Sequence, residues 1–192
     1  MSKIKINEDG TIKIMDVRLS YPHIFTPFQT EEDAAKGKKP KFSGKFIMPE
    51  STHGKEIEQL QRHLVQLQKD WFKVRLPGTN LFLKKGEDLA KPEYEGAYVV
   101  SASESIAPQV VGKKREPLKE SDDLVYGGCI VHVLIRPWKQ DNKYGKKINA
   151  NLIGVQYAGP GERFGQARPD INEHFDAEGG DDSGFDEDGF DD

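Results

Sequence analysis

Two long runs, "GCIVHVLIRPW" (128–138) and "KKINANLIGVQYAG" (146–159), flank the polar link "KQDNKYG". In the first, Val131, Val133 and Ile135 point one way, while His132, Leu134, Arg136 and Trp138 point the other. In the second, Ile148, Ala150 and Leu152 keep step. Alternation of period two sends successive side chains to opposite faces of a strand, and two such runs joined by a turn make a long β-hairpin. A two-stranded ribbon is marginal alone in water, so its apolar face has to be covered by further strands.

The rest of the chain supplies them. "GTIKIMDVRLSYPHIF" alternates around Ile12, Ile14, Val17 and Leu19, after an Asp9-Gly10 turn signal. "TEEDAAKGKKPK" (30–41) reads as a charged loop leading into a strand, "KFSGKFIMP". There Phe42 is expected beside Lys45 and Ile47, opposite Phe46 and Met48. Shorter strand candidates, "LFLKK", "AYVVSAS" and "PQVVG", lie within residues 81–127. One helix is expected over 55–73, where Ile57, Leu60, Leu64, Leu67 and Trp71 form an apolar stripe at three- and four-residue steps. Ser51 or Thr52 is placed to cap it, and Pro77-Gly78 ends the segment. The stripe is core-facing. Short strands, one helix and a long hairpin point to a mainly-β fold, a small OB-type barrel that closes largely on itself.

Beyond Gly165 the apolar content collapses, so the chain divides into a folded domain, 1–168, and a disordered acidic tail, 169–192. The net charge of −4 hides the same division: from Asp170 onward there are 11 acidic residues and no Lys or Arg, leaving the body at +7. A basic body joined to an acidic tail points to a polyanionic partner, and to a tail able to compete with it. The tail ends "GGDDSGFDEDGFDD", with Phe185 and Phe190 set among Asp186, Asp188, Asp191 and Asp192.

The hairpin tip carries the chemistry best suited to such a partner. Arg136, Lys139, Lys143, Lys146 and Lys147 are interleaved with Trp138 and Tyr144. Cations neutralise phosphates and release counterions, and exposed rings stack unpaired bases at about 1–3 kcal/mol each. Rings and cations on one finger suit single-stranded nucleic acid better than a duplex, whose bases are already stacked. Further clusters point the same way: Lys39, Lys41 and Lys45 with Phe42; Lys84 and Lys85 beside Phe82; and Lys113, Lys114 and Arg115.

Enzymatic signatures are missing. His23, His53, His63, His132 and His174 have no metal-ligand spacing, and no phosphate loop or nucleophile context is recognisable. The neighbouring carboxylates Asp122-Asp123 and Glu31-Glu32-Asp33 are imaginable as magnesium ligands of a nuclease, but such pairs are common in loops without metal. No cofactor or metal is expected. The lone Cys129 rules out an internal disulfide and reads as a small core residue of a reducing compartment. With a polar N-terminus and no apolar stretch long enough for a bilayer, the protein is expected in the cytoplasm.

From about Arg18 to Gly165 the chain resembles a family of small single-stranded DNA-binding proteins of tailed bacteriophages. The likeness rests on "RLSYPHIFTP" (18–27), "YEGAYVVSASES" (94–105) with "PQVV" (108–111), "VYGGCIVHVLIRPW" (125–138) and "GKKINANLIGVQYAGPGERFG" (145–165). The resemblance implies an OB-type fold and non-catalytic binding of single strands during phage replication, recombination or repair, in the host cytoplasm. It also implies an acidic tail that docks on replication or recombination proteins and competes with DNA. In this chain Phe190 is not terminal, since Asp191 and Asp192 follow it. The alternative reading is an acidic-tailed interaction protein or chaperone with a β scaffold. That reading needs no exposed ring among the hairpin lysines.

Overall fold

The structure is a computed structural model describing residues 2–164 and 175–177. Its elements run β1 (Ile4–Ile6), β2 (Ile12–Phe28), α1 (Glu31–Ala35), β3 (Lys41–Pro49), α2 (Glu50–Trp71), β4 (Leu83–Lys85), β5 (Ala97–Glu104), β6 (Gln109–Val111), β7 (Ile130–Asn142) and β8 (Gly145–Gly159). Five of the strands close a ring. β2 pairs antiparallel with both β3 and β7, β3 with β5, and β7 with β8. A parallel contact between Ser103 of β5 and Asn151 of β8 shuts it. A five-stranded barrel in this order, with its third and last strands parallel, is the OB-type barrel expected from the sequence. β1 extends β2, β4 flanks β5, and β6 runs parallel to β8.

Closure requires strands to bend, and β2 does so at the first two of its three pairing irregularities. Its pairing shifts against β7 between Ile14 and Val17, and against β3 between Ser20 and His23. Asp16 and Tyr21, at those breaks, have positive φ of 56° and 49°. Each break moves the inward set by one residue: Ile12 and Ile14 are buried, then Val17 and Leu19, then Ile24. Such bulges increase local twist and let a single strand serve both sides of a barrel. In β8 an extra residue opposite the Leu134–Ile135 step carries the inward set from Ile148, Ala150 and Leu152 to Val155. Opposite them Val131, Val133 and Ile135 are buried as the alternation requires. The strands continue through most of the expected link, leaving only Lys143 and Tyr144 between Asn142 and Gly145, whose φ is 112°.

Helix α2 packs against the barrel core. Ile57, Leu60 and Leu64 are buried in the main core, with Leu67 and Trp71 half-buried against it. The expected Ser51 or Thr52 cap does not form. The helix starts at Pro49 without a side-chain cap, and His53 interrupts it with φ −123° and ψ 20°. The buried His53 ring instead ties this start to the sheet, with Nε2 2.9 Å from the carbonyl oxygen of Met15 and Nδ1 2.7 Å from Thr52 Oγ1. The helix stops at Phe72, and Lys73 (φ 59°) turns the chain away. Segment 30–41 is not wholly a loop: Thr30 Oγ1 accepts from the Asp33 amide at 3.0 Å and caps α1. Five residues with none buried leave no apolar period to read.

One side-chain assignment is reversed. The β3–β5 register runs without a shift from Phe42 to Pro49, so Phe42 shares a face with Gly44, Phe46 and Met48, while Lys45 goes with Ser43 and Ile47. Cys129 is fully buried just before β7, as expected of a core thiol, and burial raises its pKa. No helix among the described residues is long and apolar enough to cross a membrane.

Candidate nucleic-acid interface

Residues of alternate parity to the core leave the barrel on the outer face of β3 and β5. Lys41, Ser43 and Lys45 of β3 stand beside Ser101 and Ser103 of β5. Lys84, opposite Val99 in the β4–β5 ladder, extends the face on one side. On the other side the hairpin rises with Trp138 and Gln140 of β7 opposite Asn149 and Lys147 of β8. Tyr21, His23 and Phe28 arrive from the bent end of β2. Together these residues line an open groove of ≈ 640 Å³.

Polar side chains, aliphatic side chains and aromatic rings all line the groove. Asn149 Nδ2 donates to Gln140 Oε1 at 2.7 Å, which fixes both amides. Ser101 Oγ is buried and has no hydrogen-bond partner among the described residues. Trp138 is 37% exposed and Tyr21 43%. The rings of His23 and Phe28 stack with centroids 4.4 Å apart and planes 11° from parallel. Tyr144, 62% exposed at the hairpin tip, sits between Lys143 Nζ at 5.1 Å and Lys38 Nζ at 5.8 Å from its centroid. The first barrel loop and the last therefore meet over one end of the groove.

Charge in the groove is of one sign. Lys41, Lys45, Lys84, Lys91 and Lys147 line it, no carboxylate does, and none of these five ammonium groups forms an ion pair among the described residues. Lys45 shows the strain: burial, then repulsion from Lys84 and Lys91, hold its pKa below the ordinary lysine value. An arriving phosphate would relieve both effects by favouring the charged form.

The expected site residues are divided by the fold. Lys41, Lys45, Lys84, Trp138 and Lys147 share the groove. Lys39, Lys143 and Tyr144 belong to loops, and Lys146 to the start of β8, where its carbonyl accepts from Asn80 Nδ2 at 2.9 Å. The others face elsewhere. Arg136 reaches Asp9 at 3.9 Å, and Lys139 lies over Phe72 at 5.1 Å on the helix side. Lys85 lines a separate groove beside α2, and Phe42 is on the other face of β3. Lys113, Lys114 and Arg115 form a self-contained turn closed by the Gly112 amide on the Glu116 carbonyl at 2.8 Å, outside the groove lining. Tyr21, His23, Phe28 and Lys91 were not among the expected residues. They come from β2 and the 90–96 loop, where no run of lysines marks them. Phe185, Phe190, Asp186, Asp188, Asp191 and Asp192 lie outside the described residues. Among the described residues no group of three or more His, Cys, Asp or Glu side chains is gathered to hold a metal.

In OB-type barrels the second and third strands, with the first and last loops, form the face that takes oligonucleotides and oligosaccharides. In this barrel that face is β3 and β5, flanked by the 29–40 loop and the hairpin tip, and the basic groove lies on it. The family model described as Enterobacter phage Enc34, ssDNA-binding protein, matches residues 10–185, and the chain belongs to that family. The single-stranded DNA-binding protein of bacteriophage Enc34, solved in complex with ssDNA, is 38% identical, with a TM-score of 0.77 over 86% of this chain and 95% of that one. "Putative protein p50" of Acyrthosiphon pisum secondary endosymbiont phage 1 is 28% identical over 162 residues, covering 80% of this chain and 85% of its own. gp2.5, a single-stranded DNA-binding protein of bacteriophage T7, has a TM-score of 0.51 at 9% identity over 86% of this chain and 99% of that one, a likeness of fold alone.

Proposed function

We propose that the protein binds single-stranded DNA in the β3–β5 groove, without catalysis and with little regard to sequence, in phage replication, recombination or repair. The observation that carries this reading is the groove's composition among the described residues: five lysines outside any ion pair, no carboxylate, and exposed rings. Lys41, Lys45, Lys84 and Lys147 neutralise successive phosphates, with Lys91 at the far end. Tyr21, Trp138 and the His23–Phe28 pair offer flat faces to bases, which any base can use. The reading also draws support from the family relationship and from the relative solved with ssDNA. The acidic tail, with 11 negative charges beyond residue 169, competes with DNA for these cations and anchors replication or recombination proteins through Phe185 and Phe190. An interaction-protein reading would leave Trp138 and Tyr144 without a purpose among the lysines.

Fluorescence anisotropy with labelled oligo-dT tests the reading directly. Affinity falls as salt rises, and an oligo-dT binds far more tightly than a duplex of equal length. The Lys45→Ala/Lys84→Ala/Lys147→Ala variant removes three phosphate contacts. At ~0.7 counterion released per contact, its log–log salt slope is shallower by about 2. An unchanged slope, or equal affinity for duplex and single strand, would overturn the assignment.

Lys45 adds a pH signature. Its pKa in the free protein lies below the ordinary lysine value, so it begins to lose its charge at a lower pH than an ordinary lysine does. A bound phosphate favours the charged form, so binding takes up protons in that range and affinity declines as pH rises. Lys45→Arg stays charged and shifts the decline to higher pH. Parallel pH profiles for the two proteins would remove Lys45 from phosphate contact.

A further inference from the structure

The sheet alone does not hold the bulge that carries Tyr21 into the DNA groove. On β2, Tyr21 and Pro22 stand together against Gly44, between the pairs Ser20–Lys45 and His23–Ser43, and neither has a ladder partner on β3. Pro22 has no N–H to donate. Tyr21 keeps a φ of 49°, a left-handed conformation that a bulky residue adopts only where its surroundings impose it.

One buried contact meets the bulge at its base. The hydroxyl oxygens of Ser20 and Tyr94 lie 2.9 Å apart, and the two residues are only 2% and 1% exposed. Neither hydroxyl has another partner among the described residues. The Tyr94 ring is anchored independently, because it packs with Ile47, Ala97 and Val99 in a small cluster apart from the main core. The Tyr94 amide donates to the Lys91 carbonyl at 3.0 Å, and Lys91 Nζ sits 5.3 Å from the centre of the Tyr21 ring. Ser20 and Tyr21 of β2 are therefore joined to Tyr94 and Lys91 by two links, one buried and one at the surface.

We infer that the Tyr94 hydroxyl is a positioning group for DNA binding: through Ser20 it holds the Tyr21 ring, with Lys91 beside it, where a base stacks. The role rests on the DNA reading above. Buried as it is, the hydroxyl touches no strand, and its effect passes through Tyr21. A purely structural tyrosine would act on stability alone. Losing one partner of a buried hydrogen bond leaves the other unsatisfied, whereas losing both is close to neutral, so stability and positioning can be separated.

Four variants of the full chain do so: Tyr21→Ala, Tyr94→Phe, the two combined, and Ser20→Ala/Tyr94→Phe. Tyr94→Phe keeps the ring and its packing. It is expected to weaken oligo-dT binding about 3- to 10-fold, the net worth of one hydrogen bond. In the Tyr21→Ala background the same substitution is expected to cost nothing further. Ser20→Ala/Tyr94→Phe leaves no orphaned hydroxyl, so its melting midpoint returns towards that of the parent while its affinity stays low. With 3-fluorotyrosine at position 21, the fluorine resonance is expected to move in Tyr94→Phe before any DNA is added. If Tyr21→Ala leaves affinity unchanged, the DNA reading fails at this ring and the role of Tyr94 goes with it. If Tyr21→Ala weakens binding and Tyr94→Phe does not, the groove stands and the positioning role falls. An equal loss from Tyr94→Phe with and without the Tyr21 ring, or an unmoved resonance, also overturns that role.

Discussion

Alanine at both Tyr21 and Trp138 weakens oligo-dT binding by about 2–6 kcal/mol, at least about 30-fold, if each ring stacks one base. The two side chains come from opposite walls of the groove, β2 and β7, and both are substantially exposed. Their removal leaves the packed interior intact, so the unfolding midpoint of the variant stays close to that of the parent protein. Anisotropy at fixed salt measures the first quantity and a thermal melt the second. Trp138 also gives the parent protein a direct signal, since a base stacked on it quenches its fluorescence. A double variant that loses less than about 3-fold in affinity would remove these rings from the binding site.

Phe46→Ala tests the barrel rather than the groove. Phe46 is fully buried on β3, and its ring fills the space that a side chain at Gly44 would need, with Cζ only 3.0 Å from a Cβ built there. Truncating such a ring costs about 3–5 kcal/mol in lost transfer energy and unfilled volume. For a domain of this size that lowers the melting midpoint by roughly 6–20 °C. The fraction still folded should bind oligo-dT as before, because Phe46 points away from Lys45. Calorimetry checks the first outcome, and a titration well below the new midpoint checks the second. A shift of less than about 2 °C would mean that Phe46 is not part of the packed core.

The same two strands explain what could be read from the residues. The hairpin was legible because β7 keeps strict alternation from Val131 to Ile135, and the helix because Ile57, Leu60 and Leu64 recur on one face. β2 was legible as a strand but not as a bent one. Its breaks fall at Asp16 and Tyr21, where no glycine announces a positive φ. The site suffered in proportion. Density of charge along the chain is a one-dimensional measure, so it counted Lys113, Lys114 and Arg115, which the fold keeps in a separate turn. It passed over Tyr21, His23 and Lys91, which only the curvature of the sheet brings to Lys45 and Trp138. Lys139 lies outside the groove for a further reason: alternate residues of one strand leave opposite faces, so it points away from Trp138. Arg136 keeps the face of Trp138 but lies two residues along the strand, beside Asp9.

The single parallel contact between Ser103 and Asn151 has a consequence for how the chain is made. β2 finds one partner in β3, nearby in the chain, but its other partner, β7, lies beyond α2 and three further strands. The ring shuts only when β8 reaches β5. Contacts so distant along the chain carry a large loop-closure cost and form slowly. During synthesis, β2, β3 and β5 must therefore wait as an open, partly apolar sheet until the hairpin leaves the ribosome. The 11 acidic residues from Asp170 onward emerge after β8, so their negative charge joins the chain only once the ring can shut.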